Sequence, residues 1–210
     1  ETEDFEPLVW MCGHRIVYDD ATEPGRTSED GQKLVERLYN YAFEGEQISV
    51  EVLVMDKNKI EEVKTSMTIG SSQGTGNEVE VNCRPTGLPE RIGYCNARIG
   101  EERITDLWDY AEAHNLDSPY EVFNAYTCTF TVETTDSMYG EYWITVEAED
   151  GDGLLGAMDE NEYWFLNPII ALSIQGDLAF EEVRPGTHSY SNTLLVGNDA
   201  DEGSGVMLDM

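Results

Sequence analysis

Positive charge is scarce in this chain: 12 Lys and Arg stand against 43 Asp and Glu, a net charge of −31 over 210 residues and a pI near 4.1. A phosphate backbone is held by a basic stripe that displaces its counterions, and the sequence has none, which excludes nucleic acid as a partner. The same deficit excludes an anionic lipid surface. No run approaches the roughly 18–20 apolar residues of a membrane-spanning helix, so no direct membrane insertion is expected. An N-x-S/T sequon and a C-x-x-C pair are also missing, which removes the usual N-glycosylation signal and the commonest zinc spacing. Glu1-Thr2-Glu3-Asp4 has nothing of a signal peptide. It reads as a mature N-terminus, left after an export leader is removed.

What is present argues for a folded, exported chain. Disordered acidic segments are poor in aromatics, whereas this one holds 11 Tyr, 6 Phe and 4 Trp within 40% apolar content. Its self-repulsion calls for screening by salt or divalent cations. The four cysteines, Cys12, Cys83, Cys95 and Cys128, fit two disulfides in an oxidising compartment. Three pairings are possible. Cys83–Cys95, closing a short loop, and Cys12–Cys128, tying the first strand to a late one, are favoured.

Period-two alternation bounded by Gly, Asn, Asp and Pro predicts an all-β chain. Strands are expected at Leu8 to Tyr18, Leu34 to Phe43, Ile48 to Met55, Ile60 to Ile69, Glu78 to Cys83, Tyr126 to Thr134 and Glu141 to Ala148. Asp56-Lys57-Asn58-Lys59 is read as the turn of a hairpin. Ile104, Leu107, Trp108 and Ala111 fall on one face of a helix of about three turns. Ser118-Pro119-Tyr120-Glu121 resembles a capping box opening a second, short helix. Pro168 interrupts the apolar run from Glu162 to Ile174, and a central strand cannot lose that donor. A domain junction is therefore placed at Asn167-Pro168, giving a sandwich over 1–167 with a helical insert around 100–125. The start of a second sandwich follows over 168–210, with strands at Leu178 to Val183, Thr193 to Val196 and Val206 to Met210. Such a short unit is expected to continue in a longer chain or to take its last strands from a neighbour.

Tyr41-Ala42-Phe43-Glu44-Gly45-Glu46-Gln47-Ile48 and Val52-Leu53-Val54-Met55-Asp56 are similar to the opening strands of immunoglobulin-like surface modules. Gly140-Glu141-Tyr142-Trp143-Ile144-Thr145-Val146-Glu147-Ala148-Glu149-Asp150 resembles their closing strand. Arg184-Pro185-Gly186-Thr187, Ser189-Tyr190-Ser191 and Leu195-Val196-Gly197-Asn198-Asp199-Ala200-Asp201 look like predicted surface proteins of uncultivated, small-genome archaea. The resemblance implies tandem immunoglobulin-like β-sandwich domains in a surface layer or filament. The expected function is thus a structural subunit of an extracellular cell-surface assembly that self-associates into a polymer or lattice. The alternative is an adhesin or carbohydrate-binding module on the same scaffold.

No catalytic constellation stands out, and an enzyme is not expected. Gly70-Ser71-Ser72-Gln73-Gly74 matches G-x-S-x-G, but that elbow needs a helix after it, and a strand is expected here. His14, His114 and His188 sit apart from any nucleophile pattern, with His114 ending the first helix. Among 43 acids, carboxylate pairs arise by chance. The candidate site is a pair of acidic loops. Glu149, Asp150 and Asp152 leave one strand, and Asn198, Asp199 and Asp201 leave another. D-x-D spacing with Gly can supply the oxygens Ca²⁺ requires. Within Tyr163-Trp164-Phe165, neighbours face opposite ways, so one aromatic is expected to be exposed or covered by another domain.

Overall fold

A computed structural model of the chain describes residues 5–19, 33–57, 60–74, 77, 79–88, 95, 104, 106–116, 118–159, 163–180 and 183–198. Strands dominate it. In chain order they are β1 (Leu8–Tyr18), β2 (Val35–Leu38), β3 (Tyr41–Ala42), β4 (Gln47–Met55), β5 (Lys64–Gly70), β6 (Val79–Asn82) and β7 (Arg84–Pro85). Helices α1 (Leu107–Ala113) and α2 (Pro119–Val122) follow, then β8 (Phe123–Thr131), β9 (Gly140–Glu149), β10 (Leu155–Asp159), β11 (Trp164–Leu166), β12 (Leu172–Gln175) and β13 (Leu195–Asn198). One sheet runs β2-β1-β4-β8-β7, a second runs β3-β11-β9-β5-β6 with β10 beside β9, and β12 and β13 form a third.

The two larger sheets share a core, because alternate residues of each strand point at the other sheet. Val9, Met11, Val50, Val52 and Tyr126 from the first sheet meet Met67, Ile144, Val146 and Trp164 from the second. In β1 the stretch from Met11 to Val17 is two residues longer than the stretch of β4 it faces, Val52 to Ile48. An excess of two leaves the parity unchanged, so Val17 returns to Met11's face. Burial pushes the Tyr126 phenol above its ordinary value, outweighing the opposing side-chain hydrogen bonds from Thr65 and Asn124.

The first sheet is covered on its outer face too. Trp10, Leu53, Met55 and Phe123, whose neighbours point inward, pack with Cys95 and with Ile104 and Leu107 of the helical insert. Two disulfides serve the two layers. Cys83 joins Cys128, linking the crossover between β6 and β7 to the middle of β8 inside the shared core, and Cys12 joins Cys95, fastening the insert to β1. The pairing anticipated from loop length is therefore wrong. Cys12 and Cys128 lie on opposite faces of one sheet and cannot meet.

Other expectations change in the same way. β4 and β5 do not form a hairpin: a 3-10 turn, Ile60–Glu62, carries the chain from the first sheet to the second. The stretch from Leu34 to Phe43 splits at Tyr39–Asn40 into β2 and β3, one in each sheet. Helix α1 starts later than its apolar spacing suggests, because the Asp106 carboxylate accepts from the Trp108 and Asp109 amides and sets the N-cap there. Ile104 is buried ahead of the helix, and Trp108, read as core, is 57% exposed. Pro119 opens α2, but the Ser118 side chain makes no capping bond. Trp164 and Phe165 are both buried; Phe165 lies under Tyr139 of the same chain, ring centroids 6.0 Å apart.

At the end of β11, Asn167 is buried with φ +52. Its side-chain amide donates to the carbonyls of Glu133 and Met138, at 2.9 and 2.6 Å, and its own N–H donates to Ala42. Beyond it the described chain holds only the antiparallel β12–β13 pair, with Leu172 opposite Asn198 and Gln175 opposite Leu195. The stretch from Leu178 to Phe180, expected as a strand, is irregular, and Val206 to Met210 lies outside the described residues.

Candidate functional site

One end of the double sheet gathers the acidic chemistry. β9 and β10 are joined there by 150–154, beside the end of β4, the 3-10 turn and the start of β8. Asp150 closes this connection. Its Oδ1 accepts from the amides of Asp152 at 2.9 Å and Leu154 at 2.8 Å, while its backbone N–H donates to Leu154. This is the local side-chain-to-backbone bonding that makes Asp a turn residue. Its Oδ2 is buried without a hydrogen-bond partner. The Glu62 carboxylate lies against Gly151, close enough that any Cβ there would strike it.

Of the anticipated metal ligands, Asp150 and Asp152 share the connection that Glu149, the last residue of β9, leads into, with Glu62 as a neighbour that the spacing did not announce. Asn198 ends β13 in the separate two-stranded sheet, and Asp199 and Asp201 lie outside the described residues. Among the described residues no three His, Cys, Asp or Glu side chains are arranged to hold a metal ion.

A cavity of about 470 Å³ opens near this end, between the 3-10 turn, the segment after β7 and the junction of α2 with β8. Ile60, Leu88 and Phe123 form an apolar lining, and Glu61 and Glu121 bring carboxylates to it. Tyr120 lines it while remaining 60% exposed, and the exposed Trp108 ring meets Tyr120 edge-on, centroids 5.9 Å apart. Sequence reasoning missed this place because its residues come from three separated segments. The one available signal was Tyr120 beside Glu121, directly after Pro119.

The G-x-S-x-G run, Gly70 to Gly74, lies in the loop between antiparallel β5 and β6, with no helix after it. His114 caps α1, its ring stacked on Tyr110 at 3.9 Å and its Nδ1 2.9 Å from the Tyr110 carbonyl. His188 sits beyond the turn at Thr187, and His14 lies within β1.

The remaining feature is apolar. Ile169, Ile170, Leu172, Ile174, Phe180 and Leu195 are each 55–61% exposed, and Tyr190 is 90% exposed. Among the described residues, β12 and β13 pair only with each other.

No family model matches the chain. No curated protein matches it either. Among solved structures it is similar to a DUF4466 family protein from Parabacteroides merdae ATCC 43184, at 10% identity and a TM-score of 0.33. The match covers 75% of this chain and 52% of that one, so this chain spans about half its length. A likeness of that degree carries no argument about architecture or activity.

Disulfide bonds on both faces of the first sheet fit an oxidising environment, extracellular or periplasmic. Among the described residues no helix is long and apolar enough to cross a membrane.

Proposed function

We propose that the chain is a structural subunit of an extracellular cell-surface assembly, a surface layer or filament, whose copies join through the segment 168–198. The carrying observation is the β12–β13 ribbon, exposed on its apolar side chains and, among the described residues, open at its edges. Two strands alone are marginal in water, and monomeric proteins protect free edges with charge or proline. Leu172–Gln175 and Leu195–Asn198 carry neither, although 43 of the 210 residues are acidic. Pairing between like copies therefore meets no repulsion from the strands themselves. Covering each large aliphatic side chain there gains on the order of 1 kcal/mol or more.

The immunoglobulin-like reading of 1–167, and its kinship with archaeal surface proteins, belong to the same proposal. A disulfide between the two sheets and a buried tryptophan in their core support the first, since both are features of that architecture.

Sedimentation velocity over a range of concentrations tests the assembly. The wild type is expected to grow in mass, while Leu172→Lys with Ile174→Lys stays monomeric with an unchanged melting temperature. A wild type that stays monomeric throughout contradicts the proposal and favours the adhesive alternative.

Divalent cations, Ca²⁺ first, are proposed to sit at the acidic end, where the buried Asp150 Oδ2 and the Glu62 carboxylate support the reading. Melting in Ca²⁺ and in EGTA at fixed ionic strength is expected to differ by several degrees. Equal melting temperatures rule this out.

A further inference from the structure

We infer that the cavity beside Tyr120 is a binding site for a long amphipathic cation, of which a lysine side chain on a partner protein is the type. This goes beyond the assembly reading and does not depend on it.

Three observations converge. The first is shape: an open depression of about 470 Å³, roomy enough to seat one extended side chain from the solvent side. The second is the distribution of polarity. Leu88, half-buried over the buried Ile60 and Phe123, offers an apolar surface to an alkyl stem, and Glu61 and Glu121 are the charged residues among the described lining residues. A lysine side chain has that profile, an apolar stem ending in a strongly hydrated ammonium. The third is an aromatic pair, Tyr120 in the lining and Trp108 packed on it from outside. Tyr120 and Trp108 are 60% and 57% exposed although large aromatics usually bury most of their area. Their T-shaped contact leaves ring surface toward solvent, and a ring face attracts a cation through its quadrupole. A neutral sugar also stacks on aromatics, but two carboxylates within a molecule of net charge −31 favour positive charge.

The folding logic makes the site a positioned one. The Asp106 cap begins α1 at Leu107, so Leu107 and Ala111 face the second core and Trp108, one residue on, turns outward. Pro119 at the first position of α2 fixes where Tyr120 and Glu121 emerge. Phe123, 2% exposed, anchors the same junction beneath them. Those elements are held to β1 by Cys12–Cys95.

The test is an NMR titration of the isotopically labelled full chain with Nα-acetyl-lysine N-methylamide. Nα-acetyl-norleucine N-methylamide is the uncharged control, and methyl glucoside the saccharide arm. The lysine derivative is expected to give saturable amide shifts at Tyr120, Glu121 and Asn124. Affinity is expected to fall about tenfold in Glu61→Gln with Glu121→Gln, and also in Tyr120→Ala, the scale of losing a charge partner or a cation–π contact. Glu133→Gln with Asp136→Asn removes the same charge elsewhere and is expected to change affinity less than about twofold, because screening limits distant charges. Each variant's spectrum away from the cavity reports that it is folded. Equal binding of the norleucine derivative, preference for the glucoside, equal weakening by both double variants, or no binding of the lysine derivative overturns the inference.

Discussion

The double sheet and the ribbon after Asn167 are built from the same kinds of residue and use them in opposite ways. In the double sheet, Trp164, Ile144, Val50 and Met67 are fully or almost fully buried between two layers. In the ribbon, Leu172, Ile174 and Leu195 keep more than half their surface in water. Propensity does not separate the two regions, since both alternate like strands. What separates them is the second layer. A sheet face becomes a core only when another element covers it, and among the described residues β12–β13 has a single pair of strands with no partner sheet. On the proposed assembly, the ribbon's apolar residues contribute to stability through association, whereas those of the double sheet contribute through folding.

Substitutions can break that comparison, and the largest effect belongs to the core. Trp164→Ala is expected to cost about 3–5 kcal/mol in chemical denaturation. Ile174→Ser is expected to stay within about 0.5 kcal/mol in dilute solution, as an exposed position does. Comparable losses at both sites show that the ribbon is covered within the monomer.

Disulfide removal sharpens the contrast between the two layers of the double sheet. Replacing Cys83 and Cys128 by Ser is expected to cost about 2–5 kcal/mol, since the bridge closes a chain separation of 45 residues. The Cys12 and Cys95 pair, separated by 83, is expected to cost a similar amount, but to loosen the insert first. Amide exchange read at Leu107 to Ala113 reports that difference; equal loosening of β5 and β9 counts against the two-layer description.

Asn167 follows the last strand of the double sheet. Asn167→Ala leaves the buried carbonyls of Glu133 and Met138 without their donor and places Ala at φ +52. A loss of about 1–3 kcal/mol is expected by denaturant titration. A neutral result means that water replaces the amide.

The smallest effect is a pH response. Tyr126 has a folded pKa above its unfolded value because burial disfavours the phenolate. Its contribution is fully present below the unfolded pKa near 10 and is lost as pH rises through the folded one. Tyr126→Phe is expected to flatten the alkaline limb of a stability-against-pH curve, and an unchanged limb assigns that loss to other groups.

The strands themselves were largely legible in the sequence. β1 spans Leu8–Tyr18 as its alternation indicates, and β9 needs one more residue at each end. Sheet membership was not legible, because period two tells which residues share a face and not which sheet lies opposite. The turn at Asp56 and Lys57 has the composition of a hairpin, yet it crosses between sheets. The cysteine pairing failed for the same reason: β1 buries residues on both faces, and spacing does not say which face Cys12 uses. Trp108 was misread because one capping carboxylate, Asp106, shifts where the helix begins. Of the candidate sites, the loop at Glu149 to Asp152 was visible as local sequence. The cavity at Tyr120 exists only once distant segments meet.

Amide hydrogen exchange at dilute and at concentrated protein tests whether the ribbon is covered by association. Protection at Leu172–Gln175 and Leu195–Asn198 is predicted to rise with concentration, while β4 in the double sheet keeps the same protection at both. Ribbon amides that exchange equally fast at every concentration, or protection that rises uniformly along the chain, contradict it.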